Sequence, residues 1–224
     1  MPVKLSPHYR DDSVDMLDAE TQDYLDREYF QKLPNLDVPH EKLLVVFAGG
    51  TGVGKSTLAA RLERELQGLR IENDGVKRCL LMRRPELAGT EALHQLTWWY
   101  TMDLYRRLGT LTRNGLVIRD GIITWYYDRI LPIFFEYGYR LFIIAYQLSD
   151  EKSRELIHAR GDTPTVTEQH QYELLQDQQI HLQRFLSNYS ADITLDDTTV
   201  FEHDRVVRAL QEVLSNESQP TQIP

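Results

Sequence analysis

One stretch near the start of this chain limits its fold more than any other: Leu43-Leu44-Val45-Val46-Phe47-Ala48, then Gly49-Gly50-Thr51-Gly52-Val53-Gly54-Lys55-Ser56, then Thr57-Leu58-Ala59-Ala60-Arg61-Leu62. An apolar run with no polar alternation is a strand buried on both faces, as in a sheet covered by helices on each side. The glycine-rich segment cannot continue either a strand or a helix, and the segment after it opens with helical spacing. Strand, glycine loop and helix in that order place the loop at the carboxyl edge of a parallel sheet, where open α/β folds take their ligands.

The loop has the form G-x-x-x-x-G-K-[ST], and each required position has a physical reason. Glycines let backbone N–H groups converge on phosphate oxygens without a side chain in the way, and the helix that follows aims the positive end of its dipole at the same anion. Lys55 is placed to reach the β and γ phosphates, and Ser56 to offer its hydroxyl to Mg²⁺. The expectation is a nucleoside triphosphate, taken as ATP with Mg²⁺, held by Gly49 to Thr57. The bland alternative is an incidental glycine turn, and the flanking strand and helix count against it.

Four further apolar runs, Leu69–Glu72, Leu116–Arg119, Leu141–Gln147 and Ala191–Leu195, alternate with helix-length segments. Parallel strands need a crossover between them, so the fold class is α/β with a five-stranded, mostly parallel sheet and helices on both faces. Asn114-Gly115 ends a long helix just before the third strand. Thr165 and Glu168 have capping-box spacing and open a polar, glutamine-rich helix running towards Asn188.

Residues 1 to 40 form an acidic extension. Val14, Leu17, Leu25, Tyr29 and Leu33 recur at helical spacing until Pro34 stops the pattern, while Asp11, Asp12, Asp15, Asp18 and Asp26 form a solvated face or a surface for a protein partner. The core domain spans 41–214, and the tail 215–224 has little that could pack.

Here the sequence resembles the P-loop kinases of the small-molecule and polynucleotide branch: gluconate kinase, chloramphenicol phosphotransferase, zeta-toxin-like kinases and polynucleotide 5′-hydroxyl kinases. The resemblance runs roughly from Leu43 to Leu214. In that group a second strand ends in an Asp that orients or deprotonates the acceptor hydroxyl, with an Arg three residues on. Ile71-Glu72-Asn73-Asp74 supplies the Asp, while the third residue on is Lys77, with Arg78 next, so the cation for an acceptor's anionic group is left open between these two. The alternative for Asp74 is capping a helix from Val76 to Met82.

Leu116-Val117-Ile118-Arg119-Asp120 looks like a loose Walker B strand in which Asp120 holds Mg²⁺ directly or through water, although Arg119 interrupts the apolar run. The alternative is a loop carboxylate. Ser149 to Ala159 reads as a helix, and with Arg154, Arg160 and the loop Gly161-Asp162-Thr163-Pro164 it looks like an arginine-bearing lid. The bland reading has those arginines complementing a helix dipole. Trp98-Trp99-Tyr100 and Trp125-Tyr126-Tyr127 read mainly as core, with Trp125 a candidate for lining the acceptor pocket.

Composition narrows the partners. A formal charge of −9, from 25 Lys+Arg against 34 Asp+Glu, counts against nucleic acid. The lone Cys79 excludes an internal disulfide and fits a reducing compartment, and no run approaches the ~20 apolar residues of a membrane span, so the cytoplasm is expected. The combined expectation is transfer of the γ-phosphoryl group to a hydroxyl of a small metabolite. The rivals are a polynucleotide 5′-hydroxyl kinase and a regulatory nucleotide switch acting through a protein partner.

Overall fold

The computed structural model describes residues 17–33, 42–111, 115–162 and 167–216. The chain divides into two compact units, one containing described residues 17–33 and 72–111, the other 42–71, 115–162 and 167–216. Val14, Asp11, Asp12, Asp15, Asn114 and Thr165 lie outside the described residues, as does the tail from 217.

The sheet has five strands, β1 (Leu43–Ala48), β2 (Leu69–Glu72), β3 (Leu116–Ile122), β4 (Arg140–Tyr146) and β5 (Ile193–Leu195), in the order β2-β3-β1-β4-β5. All five lie within a residue or two of the runs read from sequence, apart from the longer carboxyl end of β3. β1 pairs in parallel with both β3 and β4, and β4 pairs in parallel with β5. Each β1 residue is at most 1% exposed, which is why this strand carries no polar residue on either face.

One face of the sheet is covered by α2 (Lys55–Leu66) and α9 (His203–Asn216). Leu58, Ala59 and Leu62 of α2 and Val206, Val207 and Leu210 of α9 join Leu43, Val45, Phe47, Ile118 and Ile144 in one core. α9 reaches Asn216, so the segment expected to be unpacked from Ser215 is helical at its start. Also in this unit are α5 (Tyr127–Glu136), α6 (Asp150–Arg160), α7 (Glu168–Glu173) and α8 (Leu175–Asn188). The single polar helix expected from Thr165 is therefore two helices meeting at Leu174, and the cap is Thr167, which accepts from the His170 N–H.

The other unit holds α1 (Ala19–Glu28), α3 (Asn73–Arg83) and α4 (Glu91–Leu111) around Leu25, Val76, Leu80, Leu93, Leu96 and Tyr100. Two of the acids expected to be solvated have partners. Asp18 caps α1 by accepting from the Thr21 N–H at 2.7 Å, and Asp26 accepts from Tyr100 at 2.8 Å and from Arg107 at 2.9 Å. α3 begins at Asn73, three residues before the expected start, so Asp74 lies in its first turn and is not its cap. The Tyr29 hydroxyl sits 3.0 Å from both the carbonyl and the N–H of Glu72, donating to the first and accepting from the second.

Candidate active site

The loop between β1 and α2 folds as its glycines require. Gly54, immediately before α2, has φ 91°, a conformation an L side chain rarely adopts, and a Cβ on Gly49 would come within 2.8 Å of the Tyr146 Cβ on β4. Lys55 is buried at 7% exposure and donates to the Gly50 carbonyl. Burial pulls its pKa down to about 7, the positive charge of Arg160 adds to this, and the Asp120 carboxylate opposes it.

Asp120 reaches the loop through an irregularity in β3. Val46 pairs with Arg119 but Phe47 pairs with Ile122, so Asp120 and Gly121 occupy a break in register at the carboxyl end of the strand. A bulge at such a place re-aims a side chain. Here Asp120 Oδ1 accepts from the Ser56 hydroxyl at 2.9 Å, while Oδ2 accepts from Arg70 Nε at 2.9 Å and Nη2 at 2.6 Å. The sequence brought Ser56 and Asp120 to one cation site by separate arguments, and they meet. Two oxygens of this kind fit a hard cation such as Mg²⁺, with the remaining positions left to water and phosphate. Arg70 was not foreseen. It lies on β2 between the buried Leu69 and Ile71, and alternation alone put it on one face without showing that a carboxylate faced it.

Two buried glutamines also went unread. Gln178 of α8, 2% exposed, accepts from the Thr51 N–H at 2.8 Å, and Gln171 of α7, fully buried, faces the Thr51 hydroxyl at 3.4 Å while donating to the Gly161 carbonyl at 3.3 Å. A polar helix with glutamines on its buried side was legible, but its target was not.

Of the lid candidates, Arg154 lies over the Tyr172 ring at 5.5 Å, whereas Arg160, next to Gly161 at the end of α6, is the arginine whose charge acts on Lys55. Asp74 lies in the other unit, more than half exposed, 3.6 Å from Lys77, and Arg78 pairs with Glu72 at 2.6 Å. Both cations proposed for an acceptor thus already have carboxylate partners. Trp125 packs edge-on against Tyr126 and His181 in the turn after β3. Its indole N–H, the Thr124 hydroxyl and two nitrogens of the Arg119 guanidinium are buried without hydrogen-bond partners among the described residues.

Residues 44–185 match the AAA_33 family, described as an AAA domain. No curated protein matches the sequence. Among solved structures, one from the PezAT chromosomal toxin–antitoxin system of Streptococcus pneumoniae aligns with a TM-score of 0.59 at 16% identity, over 83% of this chain and 81% of that one. An inferred kinase of Chloroflexus aurantiacus aligns with a TM-score of 0.55 at 15% identity, over 80% and 99% of the two chains. A gluconokinase of Sinorhizobium meliloti aligns at 0.49 and 19% identity, over 80% and 98%. The first two likenesses establish a shared fold. Among the described residues no helix is long and apolar enough to cross a membrane.

Proposed function

The chain belongs to the AAA_33 family of AAA domains, and from that premise we propose that it is an ATP-dependent phosphotransferase whose acceptor is a hydroxyl of a small metabolite. The observation that carries the reading is the Ser56–Asp120 hydrogen bond at 2.9 Å, which joins the hydroxyl of the glycine loop to the strand-end carboxylate at the place a nucleotide-bound cation needs them.

In this reading the backbone N–H groups from Gly49 to Thr57 and the Lys55 ammonium hold the phosphates, and Ser56 with Asp120 holds Mg²⁺. The cation supplies, when bound, neutralisation of charge on the phosphate oxygens. Arg70, paired to the other oxygen of Asp120, fixes the carboxylate's orientation. Asp74 accepts the proton of the acceptor hydroxyl as its oxygen bonds to the γ-phosphorus and the bond to the ADP oxygen breaks. Arg160 brings a second positive charge to the departing phosphates, and Trp125 offers a ring to the acceptor.

The rival switch reading needs a docking surface on the N-terminal extension. Leu25 lies in a core, and Asp26 and Tyr29 are bonded within their own unit, so those residues of the helix are taken inward, while Asp18, Glu20 and Asp23 face outward. The overall charge of −9 weighs against a polynucleotide acceptor.

Incubation of the protein with ATP, Mg²⁺ and a metabolite mixture, followed by mass spectrometry, is expected to show a product heavier by one phosphoryl group. Asp74→Asn should lower its formation by more than about tenfold with ATP affinity within a few fold, since general-base or orienting help is typically worth ~10²–10⁴. ADP release with no phosphorylated product overturns the kinase reading, and unchanged transfer by Asp74→Asn removes that residue from the site.

A further inference from the structure

Thr51, Lys55 and Ser56 of the loop are hydrogen-bonded within the protein, whereas several polar groups at the end of β3 and just beyond it have no partner among the described residues. Arg119 is 1% exposed, and among the described residues its Nε and Nη1 have no hydrogen-bond partner and it forms no ion pair. A guanidinium cannot shed its charge, so one held out of water without an anion opposes folding. Such an arrangement persists where function requires it.

Its surroundings indicate what it is for. Ile118 packs with Leu58 and Leu62 of α2, and Asp120 bonds Ser56 at the start of that helix, so both point to one face of the sheet. Arg119, between them, points to the other face. It does not project into the corner where the loop and the cation would meet. Instead its guanidinium folds toward the carboxyl end of the strand, where a Cβ on Gly121 would lie 3.3 Å from Nη1. With no Cβ, Gly121 places no side chain over the guanidinium at the strand end, and Gly121 and Ile122 are partly exposed there. Two more groups in the same connection lack partners, the Thr124 hydroxyl and the Trp125 indole N–H. The Arg119 guanidinium can only donate, so the ligand that complements it presents oxygens rather than N–H groups.

We propose that Arg119 seats an oxyanion, a phosphate or carboxylate carried by the phosphoryl acceptor, on the side of β3 opposite the cation corner. This rests on the kinase reading for the word acceptor, but the anion site can be tested without turnover. It also accounts for an arginine where a buried strand calls for an apolar residue. Lys77 and Arg78, each paired with a carboxylate, are the other cations that could meet the acceptor's anionic group.

The test uses the full chain and Arg119→Met, which keeps the length of the side chain and removes its charge. Without ligand, Arg119→Met is expected to melt higher than wild type. With a non-hydrolysable ATP analogue and Mg²⁺ filling the loop, inorganic phosphate is expected to raise the wild-type melting temperature saturably by about 4 °C, judged against chloride at equal ionic strength, and to leave Arg119→Met unmoved. In turnover, matched polyols with and without a phosphate or carboxylate group are compared. The anionic member is expected to be favoured at least about tenfold in kcat/KM, and Arg119→Met to erase that preference through KM, with kcat within about threefold.

A tenfold loss of affinity for the ATP analogue in Arg119→Met would show that the anion is the nucleotide's own phosphate and overturn the proposal. A lower melting temperature in both Arg119→Met and Arg119→Lys would make the arginine structural and also overturn it. Efficient transfer to neutral polyols with no anion preference leaves the kinase standing and removes the site. Anion stabilisation through Arg119 with no acceptor ever phosphorylated does the reverse.

Discussion

Burial of Lys55 makes nucleotide binding and proton uptake inseparable. With its pKa at about 7, only about one molecule in ten carries the ammonium at pH 8. Contact with a polyphosphate restores the charged form, because an adjacent anion favours it and removes the need for solvation. Binding a non-hydrolysable ATP analogue at pH 8 should therefore take up about 0.9 proton, falling to about 0.5 at pH 7 and about 0.1 at pH 6 from this group alone. Calorimetry in two buffers of unlike ionisation enthalpy reads the uptake directly, and Lys55→Met should abolish it. An enthalpy independent of buffer at pH 8, or an uptake that survives Lys55→Met, would refute the reasoning.

The same group leaves a signature in stability. Its folded pKa lies below the ordinary value of 10.5, so the unfolded chain binds the extra proton throughout the window between about 7 and 10.5. The penalty for folding is full below pH 7, shrinks as pH rises through that window and is gone above it, and is on the order of 5 kcal/mol at most. Lys55→Met should accordingly melt above wild type at pH 6, by a margin that narrows towards pH 10. That order marks Lys55 as retained for binding and not for folding.

Two further perturbations separate roles that the sequence could not. Arg154 and Arg160 are six positions apart on one helix, about 600° of rotation and so some 120° from eclipsing; Arg160→Ala should lower the single-turnover rate at least about tenfold, while Arg154→Ala loses its ring contact with Tyr172 and shifts mainly the melting temperature. Equal, negligible losses in both would make α6 an ordinary helix. Tyr29→Phe strips the Glu72 carbonyl and N–H of one partner each and should cost about 1–3 kcal/mol, read as a lower denaturation midpoint, and an unchanged midpoint would show that the hydroxyl is dispensable.

The strands were legible because a parallel sheet covered on both faces needs continuous apolar runs, and few other structures do. The glycine loop was legible because phosphate binding through backbone N–H groups demands glycine at fixed spacing. Helix ends were harder. α3 starts at Asn73 without a capping side chain, so the usual signal was missing, and the break at Leu174 carries neither glycine nor proline. The acids of the first helix looked solvated because their spacing fits a polar face, and nothing local says that Tyr100 and Arg107, more than seventy residues on, take Asp26.

What stayed hidden has a common physical form: polar side chains whose partners lie far along the chain. Periodicity sorts residues into buried and exposed, and a buried Gln or Arg registers only as an exception to the pattern. Gln171 and Gln178 sit on the inward side of helices that read as polar, yet they hold the Thr51 hydroxyl and N–H from 120 and 127 residues away. Three groups of the loop are bonded within the protein: Thr51 N–H on Gln178, the Lys55 ammonium on the Gly50 carbonyl, the Ser56 hydroxyl on Asp120. A ligand that takes these three groups exchanges bonds that already exist, so their share of its affinity is a difference between bonded states and not a sum of new contacts. Arg119 is the opposite case. Its Nε and Nη1 make no hydrogen bond among the described residues, and an anion that reached them would gain bonds without displacing any.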